Sequence, residues 1–423
     1  MNFSNYIAKR LLNNQESSKN ISRPIVRIGV IGIALGVAVM IITVSVITGF
    51  QKQIIQKITT FTSHAQICHY DENQSMEPMP IVIDENRVNE LRKIPNIRHI
   101  QAYATKNGIL KTKSDNEGIV LKGVTFDYDW SQLKSYVVEG SVLSLSKDSI
   151  GKDIFISQSL ANKLHLKINQ KLLVYFITKK KLSDTTSSGE NFIRHEPRVK
   201  DFYIKGIFNT GFEEFDNNLV FVDLRQIQKL NYWEHNQVAG YEVYVNDFNV
   251  LDPSLETLND QLGYLYKVVS VKQLQSAIFN WLDMIDVNAV IIITLMVLVA
   301  AINMISALLI LILEQTTLIG ILKALGLSNV HVRKIFLNLS FRLLAKGLLF
   351  GNLIGLSLCF LQTHLKIISL NPETYYLASV PINLSLSHII AINFGTLVIC
   401  LLMMVLPTFL IYKITPMRAI RFS

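Results

Sequence analysis

Four long apolar runs constrain the fold of this chain more than any other feature. The first, residues 28–47, has 20 uncharged residues and would form about 30 Å of helix, close to the thickness of the bilayer's hydrocarbon core. The second, residues 287–313, has 27 residues without a charge. Residues 347–365 and 389–412 supply two more. The sequence therefore predicts an α-helical membrane protein with four transmembrane helices.

A cleaved signal peptide is the competing interpretation of the first run. The run is longer than a signal-peptide apolar region, and no cleavage site with small residues follows it in residues 49–53. We therefore expect an uncleaved membrane anchor.

The charge distribution predicts the orientation of the helices. The net charge is +9, but residues 51–275 hold 27 basic and 27 acidic side chains, so this polar region does not indicate a nucleic-acid partner. The excess lies beside the apolar runs, where Lys and Arg mark the cytoplasmic side. These flanking residues are Lys9, Arg10, Lys19, Arg23, Arg27, Lys323, Arg333, Lys334, Arg342, Lys346, Lys413, Arg418 and Arg421. Both termini are thus predicted to be cytoplasmic, and residues 51–275 to lie outside.

The predicted organisation has nine segments. In chain order these are a cytoplasmic amphipathic helix (1–24), transmembrane helix 1 (25–50), an outer domain (51–275), a stalk with transmembrane helix 2 (276–314), a cytoplasmic segment (315–346), transmembrane helix 3 (347–365), a short outer loop (366–387), transmembrane helix 4 (388–412) and a cytoplasmic tail (413–423).

The outer domain shows patterns of both strands and helices. Residues 201–208 and 241–245 alternate as strands do, and Val88, Leu91 and Ile94 share one helical face. Two parts are expected, residues 83–138 and 154–230, with short helices near 158–164 and 224–230. Between two strands lies a polar hairpin of about residues 178–200, which is either a solvated tip or a docking element.

No catalytic constellation is present in the sequence. The nucleotide-binding loop GxxxxGK[ST], the GxSxG elbow and the HExxH zinc motif are all missing. The acidic residues at 213, 214 and 216 are interpreted as a solvated turn. We therefore predict no catalytic residue and expect a non-catalytic membrane subunit.

A metal site is not predicted either. His64, Cys68 and His69 lie close together, but no carboxylate or second cysteine completes a ligand set. We interpret them as the start of a strand.

Glycines recur at helical spacing in two of the predicted spans. Gly32 and Gly36 form a GxxxG pair, and Gly347, Gly351 and Gly355 form a double one. Such spacing lets two helices approach closely. Packing within one chain and a contact between two chains are both compatible with it.

Apolar side chains also continue beyond the outer ends of spans one and two. An aromatic belt at the lipid headgroups is one explanation, and a cleft that takes lipid or lipoprotein is the other. The residues concerned are Val44, Ile47, Phe50, Phe279, Trp281, Leu282 and Ile285.

The segment after the second span carries the most specific motif. Residues 314–328 contain IGILKALG at 319–326, followed by a basic and apolar stretch at 332–336. This segment resembles the signature of the FtsX/MacB/LolC-LolE class of ABC transporter permeases. Further stretches resemble that class at residues 7–12, 35–38, 47–50, 407 and 416–421. Those at residues 122–124, 160–164, 204–208, 375–377 and 380–382 resemble its lipoprotein-releasing branch. Gln315 and the pair at 169–170 depart from the usual pattern.

The resemblance implies a fold, a location and a set of partners. The fold class would be four transmembrane helices plus a large α+β periplasmic domain inserted between helices 1 and 2, in the bacterial inner membrane. The partners would be a cytoplasmic ABC ATPase that holds ATP and Mg, a second permease subunit, identical or paralogous, a lipoprotein substrate, a periplasmic lipoprotein carrier and membrane lipid. This chain would itself need no cofactor.

The resemblance also assigns roles to residues. The residues that couple to the ATPase would be Thr317, Ile319, Gly320, Ile321, Lys323, Ala324, Leu325 and Gly326. The hairpin would be the hook that docks the carrier, through Lys179, Lys180, Lys181, Arg194, Pro197 and Arg198. A MacB-like extruder of periplasmic cargo and an FtsX-like regulator of cell-wall hydrolases remain as alternatives.

Overall fold

The described residues of this computed structural model are 22–71, 78–112, 115–182 and 192–414. They form two compact units. The membrane unit comprises the described residues of 1–53, 280–369 and 379–423, and the outer unit comprises those of 54–279 and 370–378.

Strands alternate with short helices in the outer unit, whereas long helices dominate the membrane unit. The strands are β1 (Ala65–His69), β2 (Ile97–Lys111), β3 (Asn116–Val124), β4 (Val137–Gly140), β5 (Asp153–Ser157), β6 (Lys171–Leu182), β7 (Phe192–Phe208), β8 (Leu219–Asp223), β9 (Gly240–Val245) and β10 (Tyr266–Ser270). The helices are α1 (Ser22–Thr62), α2 (Glu85–Leu91), α3 (Gln158–Lys163), α4 (Glu213–Asp216), α5 (Leu224–Asn231), α6 (Leu251–Gln261), α7 (Val271–Leu274), α8 (Ser276–Glu314), α9 (Thr316–Ala324), α10 (Asn329–Leu365), α11 (Pro372–Tyr375), α12 (Leu386–Thr408) and α13 (Leu410–Lys413). Two 3-10 turns lie at Leu133–Tyr136 and Phe248–Val250.

Four helical segments of the described chain are long and apolar enough to cross a membrane. They are Arg27–Thr62, Ser276–Glu314, Asn329–Leu365 and Leu386–Tyr412. This confirms the predicted fold class, because the α+β unit is inserted between the first and second of them. The helices are longer than the apolar runs. Helix α1 continues through residues 51–62, and α10 begins at Asn329, within the segment predicted to be cytoplasmic.

The glycines of α1 pack against α8 within the same chain. A β-carbon at Gly32 would lie 2.5 Å from Nδ2 of Asn303, and one at Gly36 would lie 3.6 Å from the carbonyl oxygen of Met296. A side chain at Gly32 would therefore require the amide of Asn303 to move.

The glycines of α10 pack against the opposite part of the α1 surface. A β-carbon at Gly351 would lie 2.8 Å from both the carbonyl oxygen of Ala34 and Cβ of Val37. Gly347 and Gly355 meet α1 in the same way, one helical turn to either side. Helices of the same chain therefore contact the glycines of α1 and α10.

A reciprocal amide pair links α10 to α12. Nδ2 of Asn352 donates to Oδ1 of Asn393 at 2.6 Å, and Nδ2 of Asn393 donates back to Oδ1 of Asn352 at 2.8 Å. Each amide also donates to a carbonyl one turn earlier in its own helix. The two amides therefore satisfy each other's hydrogen-bonding groups between two largely apolar helices.

The outer unit is built on a ten-stranded sheet in its described residues. The strand order is β10-β1-β9-β2-β3-β8-β5-β7-β4, and β6 pairs with β2 and β7. Both parts predicted from the sequence belong to this one sheet. The short helices expected near 158–164 and 224–230 are confirmed as α3 and α5. Aromatic residues fill the core on one face, chiefly Phe155, Phe208 and Phe221.

The predicted hairpin is a long two-stranded ribbon. Strands β6 and β7 pair antiparallel from Lys171 opposite Tyr203 to Leu182 opposite Phe192. The turn at 183–191 lies outside the described residues, as do the side chains of Lys179, Lys180, Lys181 and Arg194. The docking role predicted for these four residues stays a prediction.

Candidate functional site

The segment that carries the family-like motif folds as a short helix with a glycine stop. Helix α9 ends at Ala324, and Gly326 adopts a φ of +93°, a conformation that favours glycine. The amide of Gly326 donates to the carbonyl of Lys323, and the amide of Leu327 to that of Leu322. The ALG sequence at 324–326 therefore ends one helix and turns the chain toward α10.

The eight predicted coupling residues divide between two faces. Ile319 and Gly320 are buried in the membrane unit, and Thr317 and Lys323 are half-buried. The exposed members are Ile321, Ala324, Leu325 and Gly326, with Ile321 45% and Leu325 76% exposed. We call these four residues the exposed ridge. Ile321 lies on α9 and Leu325 directly follows it, both outside the candidate spans. Large apolar side chains that are this accessible and lie side by side are typical of a protein contact surface.

Lys323 contributes to the fold of the membrane unit. Its Nζ donates to the carbonyl oxygens of Ile411 and Ile414, the latter at 2.7 Å. Partial burial lowers the pKa of Lys323. The side chain thus ties α9 to the end of α13, where a cation is favourable next to terminal carbonyls.

The seven residues predicted to form an outer cleft are buried or half-buried. In the membrane unit, Phe50 and Leu282 are buried, and the Phe50 ring meets Trp281 edge-on with centroids 5.5 Å apart. Val44, Ile47 and Ile285 are half-buried. In the outer unit, Phe279 stacks on Phe248. The exposed residues next to them on α8 are Met284, Val287 and Val290, and the role of the seven predicted side chains in a lipid or lipoprotein cleft stays a prediction.

The last turn of α1 is embedded in the core of the outer unit. The Phe61 ring lies 5.0 Å from Phe215 and 6.1 Å from Phe208, centroid to centroid. It is 3% exposed. Full burial of a phenylalanine contributes about 1.5–3 kcal/mol relative to leaving it exposed.

A buried ion pair also holds this helix end. Nζ of Lys122 lies 2.5 Å from Oε1 of Glu242 and donates to the carbonyl of Phe61 at 2.6 Å. The two side chains are 4% and 0% exposed, and Nε2 of Gln101 donates to the second oxygen of Glu242. Nothing in the sequence spacing pairs residues 122 and 242, although Glu242 is the lone charge of its apolar strand.

The acidic turn at 213–216 is only partly solvated, so our interpretation of it is wrong for Asp216. This side chain is buried and accepts from Oγ1 of Thr210 at 2.8 Å and from the amide of Gly211 at 2.9 Å. Burial raises its pKa, while these hydrogen bonds act in the opposite direction. Asp216 holds the loop 209–212 in place, a role that is visible only once the loop folds back.

This loop meets the segment that joins α10 to α12. Nζ of Lys57 donates to the carbonyls of Thr210 at 2.6 Å and Tyr376 at 2.7 Å. The rings of Phe212 and Tyr376 stack with centroids 4.3 Å apart. Residues 370–378 thus belong to the outer unit by both polar and aromatic contacts.

The visible part of the ribbon places one predicted docking residue in a specific contact. Arg198 lies over the ring of Tyr232 at 4.4 Å and donates to its hydroxyl. Pro197 is exposed. Arg198 therefore holds the middle of the ribbon against Tyr232, and Pro197 makes no such contact with the described residues.

His64 is a half-buried, neutral histidine next to strand β9. Its Nδ1 accepts from the amide of Val245 at 3.1 Å. Burial, followed by the charge of Arg98, lowers the pKa of His64 to about 4. In the described part of the chain no group of three or more His, Cys, Asp or Glu is arranged to hold a metal.

His64 is expected to make the outer unit sensitive to acid. Its folded pKa is below the ordinary value of 6.5, so its contribution is complete above about pH 6.5 and is lost as the pH falls toward 4; the shift corresponds to about 3 kcal/mol. The replacement His64→Asn keeps an acceptor but does not titrate, and should flatten the decrease of melting temperature between pH 6.5 and 4.5. The matched control is His165→Asn at an exposed position. Parallel pH profiles for the wild type and His64→Asn would contradict the assignment.

Comparison with known proteins gives consistent matches along the chain. The model of the MacB-like periplasmic core domain matches residues 28–253, and that of the FtsX-like permease C-terminal region matches residues 290–416. The lipoprotein-releasing system transmembrane protein LolC of Buchnera aphidicola subsp. Schizaphis graminum is 24% identical over 404 residues, 94% of each chain. LolC of Neisseria meningitidis serogroup B is 26% identical over 414 residues, also 94% of each. LolE of Haemophilus influenzae is 22% identical over 407 residues, again 94% of each.

These matches confirm the resemblance that the motifs carry. They include the exposed ridge within the FtsX-like region and the ten-stranded sheet largely within the MacB-like region. The chain belongs to the MacB-like periplasmic core domain family and carries the FtsX-like permease C-terminal region.

Proposed function

We propose that this chain is the permease subunit of an ATP-driven complex that releases lipoproteins from the outer leaflet of the bacterial inner membrane. The observation that carries the proposal is the match to relatives named LolC and LolE over nearly their whole length, in several species. Both the membrane helices and the α+β unit fall within it.

ATP hydrolysis is assigned to a separate cytoplasmic ATPase. The exposed ridge supports this assignment, since it offers two large apolar side chains beside the basic flanks that mark the cytoplasmic side. The ATP and Mg would be held by that partner. On this orientation both termini are cytoplasmic and the outer unit is periplasmic.

Motion is proposed to travel along backbone that both units share. Helix α1 contributes residues 22–53 to the membrane unit and 54–62 to the outer unit. Its last turn is fixed by Phe61 and Lys122, and the 370–378 segment is fixed by Lys57 and Phe212. A rearrangement of α1 or α10 would therefore be transmitted to the outer unit through the backbone. Transmission of this kind requires no charged residues inside the membrane.

The remaining partners follow from the family. A second permease subunit, identical or paralogous, would complete the complex, and acyl chains of the lipoprotein would enter from the membrane beside α1 and α8. The β6–β7 ribbon would present its tip to a periplasmic lipoprotein carrier. The ribbon pairs over twelve residues of β6, which supports its use as a projecting arm.

The exposed ridge provides the test of this function. The replacements Ile321→Asp and Leu325→Asp should each reduce the amount of ATPase that co-purifies with the full-length permease by about thirtyfold. Each places an unpaired charge in the contact, which we expect to weaken binding by about 2 kcal/mol. Release of a lipoprotein from proteoliposomes to the carrier should fall in parallel. The measurements are co-purification and an ATP-dependent release assay.

The control for this test is Leu265→Asp, which places the same charge at an exposed apolar residue of the outer unit. It should leave ATPase recovery unchanged. If both ridge variants recover the ATPase like the wild type, the ridge is not the coupling surface. If the wild-type complex moves no lipoprotein, the transport assignment itself fails.

A further inference from the structure

A cavity of about 290 Å³ lies inside the membrane unit, at the C-terminal end of α10. Its walls come from α1, from the last turns of α10 and from the backbone stretch on either side of residues 370–378. Residues that define the three walls are Ile42, Val46, Leu358, Leu361, Ile368 and Val380.

The cavity offers almost no polar group to an occupant. Gln362 is the one amide in its lining, and it is 7% exposed. Its Nε2 donates to the carbonyls of Ile368 at 3.1 Å and Val380 at 3.2 Å, and its Oε1 accepts from the amide of Ile368 at 3.0 Å. Because these bonds already satisfy the amide, a water molecule would find too few partners there, whereas apolar cavities accept hydrocarbon.

The loop over the cavity is held in a fixed position. The amide of Val380 donates to the carbonyl of Ile368 at 3.2 Å, and the amide of Asn383 donates to the carbonyl of Ser45 at 2.9 Å. A β-carbon at Gly49 would lie 2.7 Å from the carbonyl oxygen of Pro381, so the glycine lets the loop cross close to α1. The cavity therefore has a built wall on this side.

We propose that this cavity binds one acyl chain of a membrane phospholipid. Its size fits a single chain, since it is about twice the 150 Å³ that holds a benzene ring and would take roughly a dozen carbons. It lies between two candidate spans, Arg27–Thr62 and Asn329–Leu365, where phospholipid is the most abundant hydrocarbon. None of the seven residues predicted to form the lipid or lipoprotein cleft lines this cavity.

Photolabelling of the full-length chain in phospholipid nanodiscs tests the proposal, without ATPase or lipoprotein. The probe is a phosphatidylcholine with a photoreactive diazirine midway along one acyl chain. We expect adducts to concentrate on peptides that contain Leu358, Leu361 and Ile368. Two replacements that fill the cavity from opposite walls, Val46→Trp and Val380→Trp, should each reduce these adducts by about tenfold.

The matched control is Leu353→Trp, which adds the same ring at an exposed position of α10 outside the cavity. It should leave the adducts unchanged, and all three variants should elute as monodisperse protein. Equal labelling of every exposed apolar helix face, unaffected by both filling variants, would overturn the proposal. Loss of the adducts when a triacylated lipopeptide, but not unlabelled phospholipid, is added before irradiation to compete with the probe would also overturn the proposal, because the occupant would then be the cargo chain.

Discussion

Replacement of Lys122 by methionine is expected to destabilise the outer unit by about 3–5 kcal/mol, the cost of removing one partner from a buried ion pair. Glu242 is fully buried and would keep Gln101 as its remaining side-chain donor among the described residues. The carbonyl of Phe61 would lose the ammonium group as well. For a unit of this size the melting temperature of the full-length protein should fall by roughly 10 °C.

Two companion variants make this prediction specific. The double replacement of Lys122 by methionine and Glu242 by leucine removes both charges, and should recover much of the loss because an apolar pair of similar volume is often neutral. Lys163→Met breaks an ion pair with Glu117 whose lysine is 61% exposed, and should cost less than about 1 kcal/mol. If Lys122→Met melts like Lys163→Met, the buried pair does not stabilise the helix end.

The membrane helices were predictable in number but not in length. Hydropathy marks the part of a helix that matches lipid, and it stops at residue 47 because Lys52 and Lys57 follow. The helix continues to Thr62 since residues 51–62 contain no glycine or proline, and since Phe61 is buried at its end. The end of an apolar run thus marks where the helix leaves the lipid, and not where the helix ends.

Pairings between distant residues were beyond reach of one sequence. Glycine spacing in α1 and α10 predicted that helices approach closely there, but not which helices. The glycines of α1 contact α8, and those of α10 contact α1. Asp216 looked like part of a solvated turn because its partners, the hydroxyl of Thr210 and the amide of Gly211, face it only after the loop folds.

The candidate coupling site was located by its motif, but only part of it faces outward. Ile319, Gly320 and Leu322 are buried, whereas Ile321 and Leu325 are exposed. This division follows from helical periodicity once the buried face is known. The tie from Lys323 to Ile411 and Ile414 depends on the position of α13, 88 and 91 residues away. A basic residue in a coupling motif therefore has a structural role that charge patterning does not reveal.

Replacement of Gly351 by leucine should disrupt the contact between α1 and α10 more than any other single change in the membrane unit. A β-carbon there would lie 2.8 Å from the backbone oxygen of Ala34, which cannot move unless α1 moves. Overpacking of a core costs about 1–3 kcal/mol and occasionally more, and we expect the upper part of this range. The measurements are the yield of monodisperse protein in detergent and its melting temperature.

The matched control for this replacement is Gly395→Leu in α12, where an added β-carbon has no neighbour within 4 Å. It should behave like the wild type, apart from a small gain in helix propensity. Gly351→Ala should lie between the two, because a methyl group forces a smaller separation of the helices than an isobutyl group does. If Gly351→Leu instead leaves the single chain as stable as Gly395→Leu and changes only its association with a second permease, the glycine face is a contact between chains. That outcome would overturn the assignment of α1 as the neighbour of α10.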